Sequence, residues 1–180
     1  VKHIMLDLET MGVEPGAPVV AIGAVRFEMN DDSPIVDFFH QAISLKSCME
    51  YGMIPEADAI TWWLTSPEIA PEARSMFRLE AGMDIVPALS GFSNWYCEEP
   101  CRLWGNSAAF DCGLLAAAYQ AAGMKKPWAF GQERCYRTVK NLPKAADVKL
   151  DRVGTHHKAV DDAASQAIHL RNIWKVLGLS

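Results

Sequence analysis

The chain has 180 residues, of which half are hydrophobic and 22% charged, with a formal net charge of −5. That length fits one domain over residues 1–180 with a sizeable core, and the composition excludes wholesale disorder. No apolar run approaches the roughly 20 residues that span a bilayer, so no membrane partner is expected.

In chain order, residues 2–9 read as a strand, apolar at Ile4, Leu6 and Leu8 with polar or charged residues between. Met11-Gly12 and Pro15-Gly16 mark a turn, Val19 to Phe27 is a second strand, and Val36 to Ile43 a third. Strands joined by short turns run antiparallel, so these three form a meander. Asp58 is placed to cap a short helix through Trp62, Trp63 and Leu64, and Ser66-Pro67-Glu68 has the order of another helix start. Asp84 to Tyr96 has helical apolar spacing, Cys101 to Trp104 is a short strand, and Phe110 to Ala122 a helix stopped by Gly123. A last short strand is expected over Arg134 to Val139 and a long closing helix over Lys158 to Leu177. A meander followed by alternating helices and strands predicts a three-layer α/β fold with a mixed central sheet.

The five cysteines are odd in number and scattered, which suggests reduced thiols, and Cys97 and Cys101 read as structural rather than metal-binding. No signal-peptide pattern opens the chain, so the expected compartment is the cytoplasm. The charge is unevenly placed. Residues 125–158 hold nine basic residues against three acids, a local charge of +6, which leaves −11 on the remainder. This polarity suits a protein that holds a phosphate backbone on one side and metal ions on another, although a solvated basic face has the same composition. Glu98-Glu99 and residues 30–34 read as solvated surface.

Three segments carry candidate chemistry. Asp7 and Glu9 lie two apart on a strand and so share a face at its C-terminal end, where α/β sheets usually hold ligands. Two acids that close are unfavourable unless cations neutralise them, and Mg²⁺ or Mn²⁺ prefers such oxygen ligands. Asp111 lies in the opening turn of an apolar helix, which is also where a simple dipole partner would sit. In the third segment, His157 and Asp162 place a titratable base beside a helix that carries a carboxylate.

Asp7-x-Glu9-Thr10, then Asp111 at a helix start, then His157-x-Ala159-x-x-Asp162 resembles the DnaQ-like exonucleases of the DEDDh class, which have a ribonuclease H-like fold. The motifs occur in the family's order and span almost the whole chain. Ile60-Thr61-Trp62-Trp63-Leu64 and the short length are similar to the RNase AS-like exoribonucleases and to phage exonuclease VIII-like proteins. The resemblance implies a 3′–5′ exonuclease that acts on single-stranded RNA or DNA 3′ ends and releases nucleoside 5′-monophosphates. It implies two divalent ions, Mg²⁺ or Mn²⁺, with Asp7 bridging both, Glu9 and Asp162 on one and Asp111 on the other. His157 would then take the proton from the attacking water. It also implies that backbone groups at Met11 and Gly12, after Thr10, touch the terminal nucleotide. Homodimers are common in the family.

The doublets His156-His157 and Asp161-Asp162 allow two registers at the same spacing. Ala159 matches the family pattern only if His157 and Asp162 are the pair. At about 100° per residue, Asp162 lies about 110° from the centre of the helix's apolar face and Asp161 about 150°, so Asp161 points more to solvent. Phe110 is the first candidate for stacking on a base. Trp62 and Trp63 cannot face the same way on a helix, so one belongs to the core; Trp62 is the candidate for substrate contact. A phosphodiesterase for dinucleotides or very short oligonucleotides, or a non-catalytic nucleic-acid-binding module, are the alternative functions.

Overall fold

A computed structural model describes residues 1–78, 81–96 and 101–179. β1 (Lys2–Thr10), β2 (Val19–Glu28) and β3 (Asp37–Ala42) form the antiparallel meander. β4 (Arg102–Gly105) and β5 (Glu133–Cys135) add in parallel beyond β1, giving a mixed sheet of order β3-β2-β1-β4-β5. The helices are α1 (Leu45–Glu50), α2 (Ala57–Thr65), α3 (Ile85–Trp95), α4 (Gly113–Ala121), α5 (Tyr136–Lys140) and α6 (Ala159–Val176).

β1 is paired on both sides and buried on both faces, which is why its apolar residues do not strictly alternate. Ile4, Leu6 and Leu8 pack with Ile85, Leu89 and Phe92 of α3 and with Leu115 and Tyr119 of α4. Met5, on the other face, joins Val25, Phe27 and Trp104 against Tyr136 of α5 and Ala163, Ala167, Leu170 and Ile173 of α6. The sheet is therefore the middle of three layers. A smaller cluster of Met11, Val20, Trp63, Ile69 and Ala73 fixes α2 beside the exit of β1.

Four local expectations are corrected. The strand expected over Arg134 to Val139 ends at Cys135, because β4 stops at Gly105 and offers no partner beyond it; the chain turns into α5. No helix follows Ser66-Pro67-Glu68: Pro71 lacks the N–H that would bond the Pro67 carbonyl, and the chain reaches a 3₁₀ turn only at Ala73–Phe77. Glu56, not Asp58, takes the cap position of α2, and Asp58 lies in its first turn. The helix expected from Phe110 opens with a π-helical turn over Ala108–Cys112. α1 was not expected; it is held by Ser44, whose side chain accepts from Ser47 N at 3.3 Å. Cys97 and Glu98-Glu99 lie outside the described residues. Cys48 and Cys112 are buried, and burial pushes both thiols up, Cys48 to about 12.

Candidate active site

Asp7 and Glu9 share the face of β1 that α6 covers. Asp7 is paired with Gly23 of β2, and α6 passes so close there that a Cβ on Gly23 would lie 2.1 Å from the main chain at Ala159 and Val160. The missing side chain lets the first turn of α6 settle over the end of β1. Asp162 is thereby brought to Asp7 and Glu9, with one oxygen from each of the three within 4.8 Å of the others. One turn further along α6, Gln166 donates from Nε2 to Asp7 Oδ1 at 2.8 Å.

Asp111 arrives from the opposite layer. β4 ends in Gly105, where a Cβ would lie 2.9 Å from that of Asp111. The π-helical turn then carries Asp111 inward, and its Oδ2 accepts from Ser107 N at 3.1 Å. π turns recur where a helix must aim a functional side chain.

The electrostatics are those of crowded, buried acids. Burial raises Asp7 well above the carboxylate range, helped by the charges of Asp111, Glu9 and Asp162 and opposed by Gln166. Burial, then Asp162 and Asp111, pushes Glu9 up to about 8. Burial raises Asp111 to about 7 against several main-chain N–H donors. Glu9 Oε1 is buried with no hydrogen-bond partner among the described residues. A set of hard oxygen donors with an unfilled lone pair fits divalent cations such as Mg²⁺ or Mn²⁺.

The two histidines of the doublet differ in backbone and in surroundings. His157 adopts a left-handed conformation (φ +62°), and its N–H donates to Asp162 Oδ2 at 2.8 Å. Its Nε2 is buried and has no partner among the described residues. The ring packs edge-on to Trp62 at 5.0 Å and stacks on His156 at 3.7 Å. Burial lowers the His157 pKa, and the charge of His156 adds to this while Asp162 opposes it. Asp161 is the more exposed of the two acids, as the helix wheel expects, and the preceding loop ties it in addition: its Oδ2 accepts from Thr155 N at 2.9 Å, beneath a left-handed Gly154. A helix wheel contains no information about the loop that folds back on it.

Trp63 is the core member of its pair, and Trp62 is 38% exposed beside His157. Thr10 Oγ1 donates to Gly12 O at 2.7 Å. Met11 is buried, with its N–H on Pro18 O and its carbonyl on Glu56 N, and Gly12 is pressed against Glu56 and Ala17. Phe110 is half-buried against the α4-side core.

The basic segment is divided in its roles. Lys126 pairs with Glu133 and Lys158 with Asp161, whereas Lys140 and Arg152 line the acidic cleft, a space of about 210 Å³ that also meets Asn106, Tyr136 and His156. Sequence reasoning missed Gln166 altogether. Its position four residues after Asp162, on the same side of α6, was the available signal.

No curated protein matches the chain in sequence. Among solved structures, the nuclease domain of 3′hExo, a DEDDh family member solved bound to rAMP, is 14% identical with a TM-score of 0.62, over 97% of this chain and 92% of that one. The Mg²⁺- and Mn²⁺-bound form of S. pombe Pop2p is 13% identical with a TM-score of 0.63, over 96% of this chain and 82% of that one. At these identities the likeness is one of fold, and it is the ribonuclease H-like fold. In sequence, the model of the Rv2179c-like 3′–5′ exoribonuclease domain matches residues 2–174, and the chain belongs to that family.

Proposed function

We propose that this exonuclease removes nucleotides one at a time from the 3′ end of single-stranded RNA, releasing nucleoside 5′-monophosphates with the help of two divalent ions. The observation that carries this reading is one cleft holding two groups the reaction needs, Glu9 Oε1 among the carboxylates and His157 Nε2 beside them, both without a hydrogen-bond partner among the described residues. RNA is preferred over DNA because the family is one of exoribonuclease domains.

Asp7, Glu9, Asp111 and Asp162 would hold the ions. When bound, these supply charge that stabilises the attacking and leaving oxygens and makes water acidic enough to attack. His157 Nε2 accepts the proton of the attacking water. Its lowered pKa keeps the ring neutral near pH 7 and so able to act as a base. The water oxygen bonds to phosphorus as the bond from phosphorus to the 3′-oxygen breaks, and that oxygen takes a proton from solvent, so the shortened chain leaves with a 3′-hydroxyl. Asp162 orients this base through the His157 N–H.

The test is digestion of 5′-labelled single-stranded RNA and DNA of matched sequence with Mg²⁺, Mn²⁺ or EDTA, for wild type and His157→Ala. Metal-dependent laddering from the 3′ end of RNA, reduced about 10²–10⁴-fold in the variant, is expected. Activity on dinucleotides alone would replace the polymer with a very short substrate.

A further inference from the structure

Asp162 has two oxygens, and both are engaged. Oδ2 accepts the His157 N–H that holds the left-handed turn, and Oδ1 accepts Arg152 Nη1 at 2.7 Å. The main-chain bond is part of the loop's fold, so a cation drawn to Asp162 would compete with Arg152 for its other oxygen. A guanidinium and a divalent ion on the same oxygen repel strongly at such distances.

Arg152 is lightly anchored. Its side chain is 47% exposed on the loop before α6, and the bond to Asp162 is its one side-chain hydrogen bond among the described residues. Beside it in the cleft, Lys140 Nζ lies 3.4 Å from Asn106 Oδ1 and over the Tyr136 ring at 5.0 Å, with no acidic partner among the described residues. Burial and the charges of Arg137 and Arg152 lower its pKa, so like charge crowds this ammonium from the Arg152 side. Two cations facing a carboxylate cluster across one narrow cleft are arranged for a group with anionic oxygens that also meets metal ions. A phosphodiester has that chemistry, and a guanidinium grips it with two parallel bonds.

We propose that Arg152 is a two-position residue: it is the counter-ion of Asp162 in the metal-free protein and, once the site is loaded, clamps a backbone phosphate of the substrate together with Lys140. This inference rests on the nuclease reading above and goes beyond it. It makes Arg152 a positioning residue that couples the two ligands. Metal loading releases the clamp, and phosphate, by drawing Arg152 away from Asp162, strengthens metal binding by the same factor.

Calorimetric titration of the full chain with Mn²⁺, without nucleic acid, compares wild type with Arg152→Gln. Steady-state kinetics on a single-stranded RNA at saturating Mn²⁺ follows. The variant is expected to bind Mn²⁺ about tenfold more tightly, because the competing cation is gone, and to show a KM about tenfold higher with kcat changed less than about threefold. Its affinity for RNA should also fall less steeply with salt, by roughly 0.7 in the log–log slope. These changes have opposite signs, so a folding defect, which would weaken both ligands, cannot imitate them. Unchanged or weaker Mn²⁺ binding, or an unchanged KM, overturns the proposal while leaving the nuclease reading intact. A wild-type protein that binds no Mn²⁺ overturns the metal reading itself, and this inference with it.

Discussion

Gln166 donates its amide N–H to Asp7 across 159 residues of sequence, and so ties the last helix to the first strand at the carboxylate cluster. The bond favours the charged form of Asp7 against burial and three neighbouring acids. Gln166→Leu should weaken Mn²⁺ binding and RNA hydrolysis about 10–100-fold, the usual cost of losing a residue that orients a ligand. Calorimetry and initial rates check this. Unchanged Mn²⁺ affinity would show that Asp7 needs no orienting partner.

Gly23→Ala is expected to damage the site without touching any group in it. The new Cβ would meet main-chain atoms of α6 rather than a flexible side chain, so the helix must shift away from β1. A loss of about 3 kcal/mol in denaturant unfolding is expected, together with loss of activity. Gly113, where a Cβ meets nothing within 4 Å, serves as the control, and Gly113→Ala should be close to neutral.

Without metal, stability should fall as pH rises through neutrality. Glu9 titrates at about 8 in the folded chain against 4.5 for its ordinary value. Between these values the unfolded chain holds fewer protons than the folded one, so stability falls as pH rises from about 5 to 8 and then levels off. Saturating Mn²⁺ should remove that slope and raise the melting temperature at pH 8 by roughly 5 °C over EDTA. Thermal unfolding in the two buffers decides it, and identical melting curves would remove the cation site.

The opposite slope should appear in acid, from the other end of β1. Burial, followed by the charge of Arg102, lowers His3 to about 4, and its neutral Nδ1 accepts from Trp104 Nε1 at 2.9 Å. The unfolded histidine protonates near 6.5, so stability is lost as pH falls from 6.5 through 4, by about 3 kcal/mol when complete. Denaturant unfolding of the Mn²⁺-loaded protein across this window should show the slope, and His3→Gln should flatten it.

The sheet and its chemistry were legible where local pattern and final environment agree. Ile4, Leu6 and Leu8 mark the face that packs on α3 and α4, and this places Asp7 and Glu9 on the other face without reference to any partner. The long α6 announces itself by apolar spacing and by Gly178 at its end. α1 is too short for six residues to show a period, and the turn from β5 to α5 depends on where β4 stops. The bonds from Gln166 to Asp7 and from Arg152 to Asp162 arise from folding, and propensity contains neither. His157 is the instructive case: the motif selects it over His156, but its left-handed backbone, which aims the ring at Trp62, follows from the bond to Asp162.

The cluster draws Asp7 and Glu9 from the first element of the chain and Asp162 from the last. During synthesis the ribosome releases β1 early, but its carboxylates gain their third neighbour only after α6 has emerged. A chain halted by a broken message or cut by a protease before α6 therefore carries no assembled carboxylate cluster, and the site is complete only once α6 has been made and has docked on β1.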